Sequence, residues 1–342
     1  MRASGPARLP HRPWLLALIG VGAAAGPWSA CQSRPSSAPT GVCTAPTQCA
    51  GRLPLGDDAV IEFHGSLWPT GNPQVRRAVV IVHGRRGDAD RYFEHLVAAA
   101  RVEGRLENVV LIAPRFRARA GSLGGKELHW SSKGWKQGDR SVAPTRLSSF
   151  AVMDEILAAL CGQSRAQFPA LETLVLVGHS AGGQFVQRYL AAGKGCTDPS
   201  VRARYVVMNP SSYLYLDARR VIAGGLGIPA RSCGAFNRYK YGLEGMNRYM
   251  RQAGAARIRA NVFEREAYYL VGSDDTKRGK SLDRSCAGDL QGPTRLARHT
   301  NYRTYHRQFP RWRASRFEVL PAIGHSAGKM LLHDRTRQIL FR

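Results

Sequence analysis

Short runs of β-branched and aliphatic residues alternate along the chain with longer stretches whose apolar positions recur every three or four residues. The runs at 60–67, 78–82, 109–113, 173–177, 205–208, 267–271 and 316–320 predict strands. Amphipathic patterns near 90–103, 147–160, 182–192, 243–254, 294–308 and 326–340 predict helices between them. Val79-Val80-Ile81-Val82 and Leu174-Val175-Leu176-Val177 are apolar without interruption, as in strands buried on both faces. Strands and helices in alternation predict an α/β fold, with a mostly parallel central sheet covered by helices on both faces. No repeat at a fixed period interrupts that scheme.

Two stretches break the alternation. Residues 115–146 carry Trp130, Trp135 and several basic residues, and residues 209–242 carry Tyr213, Tyr215, Tyr239 and Tyr241 among Gly and Arg. Both follow predicted strands, which puts them at the carboxyl edge of the sheet, where open α/β folds bind ligands. The second reads as a small, loop-rich, cap-like insertion. Its Tyr and Arg would favour an aromatic or anionic substrate, unless they form a packed aromatic cover with the Arg facing water.

The N-terminus is of another kind. Arg2, Arg8 and Arg12 precede an apolar run at 15–25, the layout of an export signal and too short for a comfortable membrane span. Trp28-Ser29-Ala30-Cys31 resembles a bacterial lipobox, which makes Cys31 a candidate lipid anchor, with Trp28 where that pattern has Leu. Residues 1–30 are therefore read as a signal peptide. Residues 31–55, rich in Pro, Ser, Thr and Gly, are read as a flexible tether, and 56–342 as the folded domain. The product is periplasmic, membrane-anchored or secreted on this reading.

Composition narrows the function classes. Hydrophobic residues at 44% exclude a largely disordered chain. Lys+Arg 50 against Asp+Glu 24 gives a formal net charge of +26, but the Arg are spread along the whole chain, without the basic motif of a specific nucleic-acid binder. Such a charge still predicts salt-sensitive attraction to polyanions and to an anionic envelope. Beyond Cys31, six cysteines remain, enough for three disulfides in an oxidising compartment. Sequential pairing, Cys43–Cys49, Cys161–Cys196 and Cys233–Cys286, is the favoured arrangement. No Cys/His spacing suits zinc, so no metal is expected.

Chemistry concentrates at Gly178-His179-Ser180-Ala181-Gly182, between a predicted strand and a predicted helix. This is a G-x-S-x-G nucleophile turn in the context that gives the motif its meaning. Small flanking residues let the chain turn sharply, and the helix N-terminus beyond it favours developing negative charge. A Ser hydroxyl needs a base. Of ten His, His325 follows the last predicted strand and can reach back over the sheet edge. His129 is the reserve, His179 reads as structural, and His95, His299, His306 and His333 read as solvated loop or helix-cap residues. The base needs a carboxylate to orient it. Asp275 is the first choice, Asp274 the second and Asp217 a distant third.

With these residues in order, Ser180 then Asp275 then His325, the chain resembles the α/β-hydrolase superfamily over about residues 75–341. Val79-Val80-Ile81-Val82-His83-Gly84 looks like that family's His-Gly turn. The resemblance implies an α/β-hydrolase fold and an oxyanion hole built from the backbone N–H of Ala181 and a second from Arg85. Arg85-Arg86 in place of further glycines departs from the lipase-type pattern. The implied chemistry is acyl transfer without a metal or organic cofactor, on a small-molecule ester or acyl substrate. A peptidase or amidase on the same residues is the alternative, as is a non-catalytic surface protein that binds polyanions.

Overall fold

The computed structural model describes residues 41–67, 71–119, 125–162, 167–223, 225–229, 233–311 and 314–342. The proposed signal peptide, Cys31 and the first part of the proposed tether lie outside them. Eight strands form one sheet: β1 (Ala50–Pro54), β2 (Val60–Gly65), β3 (Arg77–Val82), β4 (Val109–Pro114), β5 (Thr173–His179), β6 (Arg202–Met208), β9 (Glu266–Gly272) and β10 (Ser315–Leu320), in the spatial order β1-β2-β4-β3-β5-β6-β9-β10. The pairs at the β1–β2–β4 side are antiparallel and the remaining ones parallel. A separate two-stranded hairpin is formed by β7 (Arg220–Ile222) and β8 (Gly225–Gly227).

The period of two along each strand builds the two halves of the core. Ala78, Val80 and Val82 of β3, Leu174 and Leu176 of β5, Tyr205 and Val207 of β6 and Tyr269 of β9 belong to one buried cluster. Val79, Ile81, Val175, Val177, Val206, Met208 and Leu270, the residues between them, belong to the other. Helices α2 (Ser149–Cys161), α3 (Ala181–Ala192), α5 (Ala255–Glu264) and α7 (Arg295–His306), the last preceded by the short α6 (Cys286–Asp289), contribute buried residues to the first cluster. Helices α1 (Ala89–Val102), α8 (Ala327–Leu332) and α9 (Asp334–Phe341) contribute to the second.

Each of the seven strands expected from the sequence is present. The tether reading fails for its last part, because Ala50–Pro54 pairs antiparallel with Val60–Gly65 as the edge strand β1. Gly, Arg and Pro give this strand no β signature; the partner strand and the Cys43–Cys49 disulfide just before it hold it in place. The stretch near 243–254 becomes α4 (Arg248–Ala253), followed across Gly254 by α5, which the sequence did not suggest. The stretch at 326–340 divides at His333, which caps α9 by accepting from the Arg335 N–H. All three sequential disulfides are formed.

Parallel register sets the geometry of the functional edge. Val82 pairs with Gly178, His179 with Met208, and Leu320 with Gly272. The segments that leave β3, β5, β6, β9 and β10 therefore begin side by side, although they lie far apart in sequence.

Candidate active site

Ser180 sits between β5 and α3 with φ 59° and ψ −111°, a conformation that a residue with a side chain adopts only where its surroundings impose it. Those surroundings are backbone. A Cβ on Gly178 would lie 2.3 Å from the Gly182 carbonyl oxygen, and one on Gly182 would lie 2.0 Å from that of Val82. The turn thus fits only glycine at both flanks, and it is held by the Ser180 N–H donating to the Met208 carbonyl at 2.9 Å. Ala181 is the first residue of α3, where a helix leaves its N–H without an intrahelical acceptor.

His325 stands between the other two groups. Its Nε2 lies 2.9 Å from Ser180 Oγ and its Nδ1 lies 2.7 Å from Asp275 Oδ2. An ionised carboxylate can only accept, so Nδ1 donates to Asp275 and Nε2 accepts from the Ser180 hydroxyl. Asp275 is buried, and burial pushes its pKa up; the bond and charge of His325, then Arg295 and Asn209, outweigh that and hold it below the usual carboxylate range. The bond from Asn209 Nδ2 is 2.6 Å, and Arg295 Nη1 stands 3.5 Å from the other carboxylate oxygen.

The choice between the two adjacent aspartates is made by the loops that carry them. The Asp274 N–H donates to the Ile323 carbonyl at 2.9 Å and the Ala322 N–H donates to Ser273 Oγ at 2.9 Å. These bonds lock the loop after β9 to the loop after β10. Asp275 then faces inward beside His325, and Asp274 is exposed, accepting from Ser273 Oγ. Asp217 pairs with Arg219.

The His-Gly turn is fixed just as firmly. His83 Nδ1 donates to the Gly84 carbonyl at 2.7 Å, and Nε2 accepts from the Phe116 N–H at 2.9 Å. Burial lowers its pKa to about 4, so it is a neutral strut rather than a base. Trp135 packs on its ring at a centroid distance of 4.9 Å. Gly84 and Arg85 line the same cleft of about 400 Å³ as Ser180 and His325.

The other histidines divide differently from expectation. His179 is buried, 4.7 Å centroid to centroid from His325, with Nδ1 3.0 Å from the Tyr92 hydroxyl. Burial, then the charge of His325, holds it well below the ordinary imidazole range. His129 lies in the 115–146 loop, where its N–H donates to the Ala143 carbonyl. His299 and His306 are not solvated: both are buried on the inner face of α7, against Phe317 and the tyrosines of the core. A seven-residue spacing keeps both on the apolar stripe, a pattern that polar residue types conceal.

The 209–242 stretch is also unlike an aromatic site mouth. Tyr213 and Tyr215 are buried and packed on Tyr302, at 4.3 and 5.1 Å. Arg220 lies over Tyr215 at 4.0 Å and is buried rather than facing water. This is the packed aromatic reading, with Arg220 drawn inside and Arg238 left exposed. Asn209 and Arg295 were missed from the sequence. Asn209 could have been found as the first residue after a central strand, whereas Arg295 is one arginine among many with no local mark.

A doubly covered, mostly parallel sheet with a Ser, His and Asp meeting at its carboxyl edge defines a class, and the chain belongs to the alpha/beta hydrolase family, whose model matches residues 79–338. Among solved structures it is similar to the LpqC poly(3-hydroxybutyrate) depolymerase of Bordetella parapertussis, at 21% identity and TM-score 0.58 over 82% of this chain and 87% of that one. It is also similar to poly(aspartic acid) hydrolase-1 of Sphingomonas sp. KT-1, at 20% identity and TM-score 0.59 over 86% of this chain and 98% of that one. No curated protein sequence matches it. Among the described residues, no helix is long and apolar enough to cross a membrane.

Proposed function

We propose that the protein is an exported serine hydrolase that cleaves carboxylic esters through Ser180, His325 and Asp275. The observation that carries this reading is the position of His325, within hydrogen-bond distance of both the Ser180 hydroxyl and the Asp275 carboxylate. Ser180 Oγ attacks the ester carbonyl while His325 Nε2 takes its proton, and Asp275 stabilises the imidazolium. The oxyanion accepts from the N–H groups of Ala181 and Arg85, each such donor being worth roughly 3–4 kcal/mol in the transition state. His325 returns the proton to the departing alcohol. Water then attacks the acyl-enzyme with the same imidazole as base. Esters are preferred to amides because an alcohol leaves more readily than an amine.

Three disulfides suit an oxidising compartment, and together with the charged and apolar N-terminal pattern they support export. Lipidation at Cys31 and a salt-sensitive attraction of the basic chain to anionic envelope surfaces belong to the same reading.

A serine-directed phosphonate, followed by mass spectrometry of the labelled peptide, tests the assignment. The expected result is a single adduct on Ser180 and loss of ester turnover by about four orders of magnitude or more in Ser180→Ala. Labelling elsewhere, or turnover that survives the substitution, overturns it. A matched ester and amide pair separates esterase from amidase, and a chain that binds polyanions but takes no phosphonate is a binding protein.

A further inference from the structure

The cleft around Ser180 is lined in part by Arg85, Arg86 and Arg91, with Asp88 as the carboxylate among them. None of these three arginines forms an ion pair with a described residue. Exposed arginines alone would signify little, but a more deeply set group of cations lies behind the cleft: Ser281 lines it, and Asp283, two residues further on, holds Lys240. Trp135 packs on His83, and the carbonyl of the next residue, Lys136, accepts from Arg188. Lys136 is only partly exposed, and its ammonium makes no hydrogen bond among the described residues. The charges that act on it most strongly are those of Lys240, Arg188, Asp283 and Arg85.

Only one of those four neighbours is negative, and Asp283 is already committed to Lys240 at 2.7 Å and to the Tyr241 hydroxyl. Arg188 is fully buried and has no carboxylate partner among the described residues. Its donors reach the carbonyls of Lys136, Lys240 and Gln184 and the hydroxyl of Ser212, all neutral acceptors. Burying cations without a counter-charge is costly. An anion drawn into this side of the cleft would offset that cost, and an attracting potential is strongest where low-dielectric walls focus it.

We propose that Lys136 and Arg85, backed by Lys240 and Arg188, form an anion subsite that selects substrates bearing a carboxylate near the scissile ester. This deepens the esterase reading and rests on it. Arg85 serves twice, through its backbone N–H toward the oxyanion and through its guanidinium toward the substrate's distant charge.

The experiment compares kcat/KM for a p-nitrophenyl ester of a neutral short acid with that for the mono-p-nitrophenyl ester of glutaric acid. Wild type is set against Lys136→Met, Arg85→Gln and the double variant, the Arg85 change leaving its backbone N–H in place. Calorimetric binding of glutarate is measured on the same folded proteins. The expected result is a preference of tenfold or more for the charged ester, reduced at least tenfold in the double variant, with glutarate binding lost in parallel. Lys136→Gln provides a second, polar replacement should the methionine variant fold poorly. Hydrolysis of both esters with an unchanged ratio in the variants overturns the subsite and leaves the esterase reading intact. Glutarate binding that depends on Lys136, without hydrolysis of either ester, overturns the esterase reading and leaves the subsite. Absence of glutarate binding and of any charged-ester preference in wild type overturns the subsite.

Discussion

Arg295 Nη1 stands 3.5 Å from Asp275 Oδ1, the carboxylate oxygen that His325 does not use, with both side chains almost wholly excluded from water. Asp275 is thus held by three donors, from Asn209, His325 and Arg295, each reaching it from a different element. Arg295 also donates to the Ser281 carbonyl at 2.7 Å, which anchors its fork away from the imidazole. It would act as a positioning residue, reaching His325 only through Asp275 and standing outside the residues that line the Ser180 cleft.

Replacing Arg295 with Met should leave a buried carboxylate without its cation, at a cost of about 3–5 kcal/mol in stability. The turnover number should fall at least tenfold while KM changes little, since the ground-state contacts of substrate are untouched. Arg295→Lys should recover part of the rate. Thermal melts alongside steady-state kinetics check both effects, and a rate unchanged in Met would deny Arg295 its positioning role.

Gly182→Ala adds a single methyl group that has to occupy space already held by the Val82 carbonyl oxygen. Backbone cannot step aside as a flexible side chain can, so the turn at Ser180 must open. The expected outcome is loss of phosphonate labelling at Ser180 in any protein that still folds, read by circular dichroism and mass spectrometry together.

Lys136 gives the proposed anion subsite a pH signature. Burial lowers its pKa to about 8, Lys240, Arg188 and Arg85 add to that, and Asp283 opposes it. Below about pH 8 the ammonium is charged and should favour the charged ester; above it the charge is lost and the preference should decline. Lys136→Arg, which stays cationic, should abolish the decline. The ratio of kcat/KM for charged over neutral ester between about pH 6.5 and 9.5 is the measurement, and the neutral ester cancels the pH dependence of the chemistry itself.

Acid should weaken the fold before it reaches the carboxylates. Burial holds His83 at about 4 and His299 and His306 at about 3, whereas the unfolded chain binds those protons near pH 6.5. The unfolded state therefore takes up more protons as pH drops below 6.5, and each such histidine costs about 1.4 kcal/mol per pH unit until its folded value is reached. Melting temperature should be flat above pH 7 and fall toward pH 4.5. His306→Phe, placed among Tyr302, Tyr269 and Phe317, should reduce the fall. A fall of equal size in the variant would exclude that histidine as a contributor.

The strands and the turn at Ser180 were legible because both rest on local pattern: uninterrupted apolar runs, and small residues between strand and helix. Edge strand β1 was not, since its pairing comes from β2 and its own residues resemble a linker. His299 and His306 were misread because residue type suggested water where helical phase placed them inside. The sequence ranked Asp275 ahead of Asp274, but the structural reason for that order lay beyond it. That reason depends on bonds between two loops separated by about fifty residues, which no window along the chain contains.

One guanidinium has a wider reach than its single position suggests. Arg188 belongs to the helix that starts just after Ser180, and it grips a carbonyl from each of the two long excursions that leave the sheet. Those excursions are therefore not free ornaments on a fixed scaffold. Reshaping either one to admit a different substrate would tug on the same anchor, and the other excursion would have to be redesigned with it.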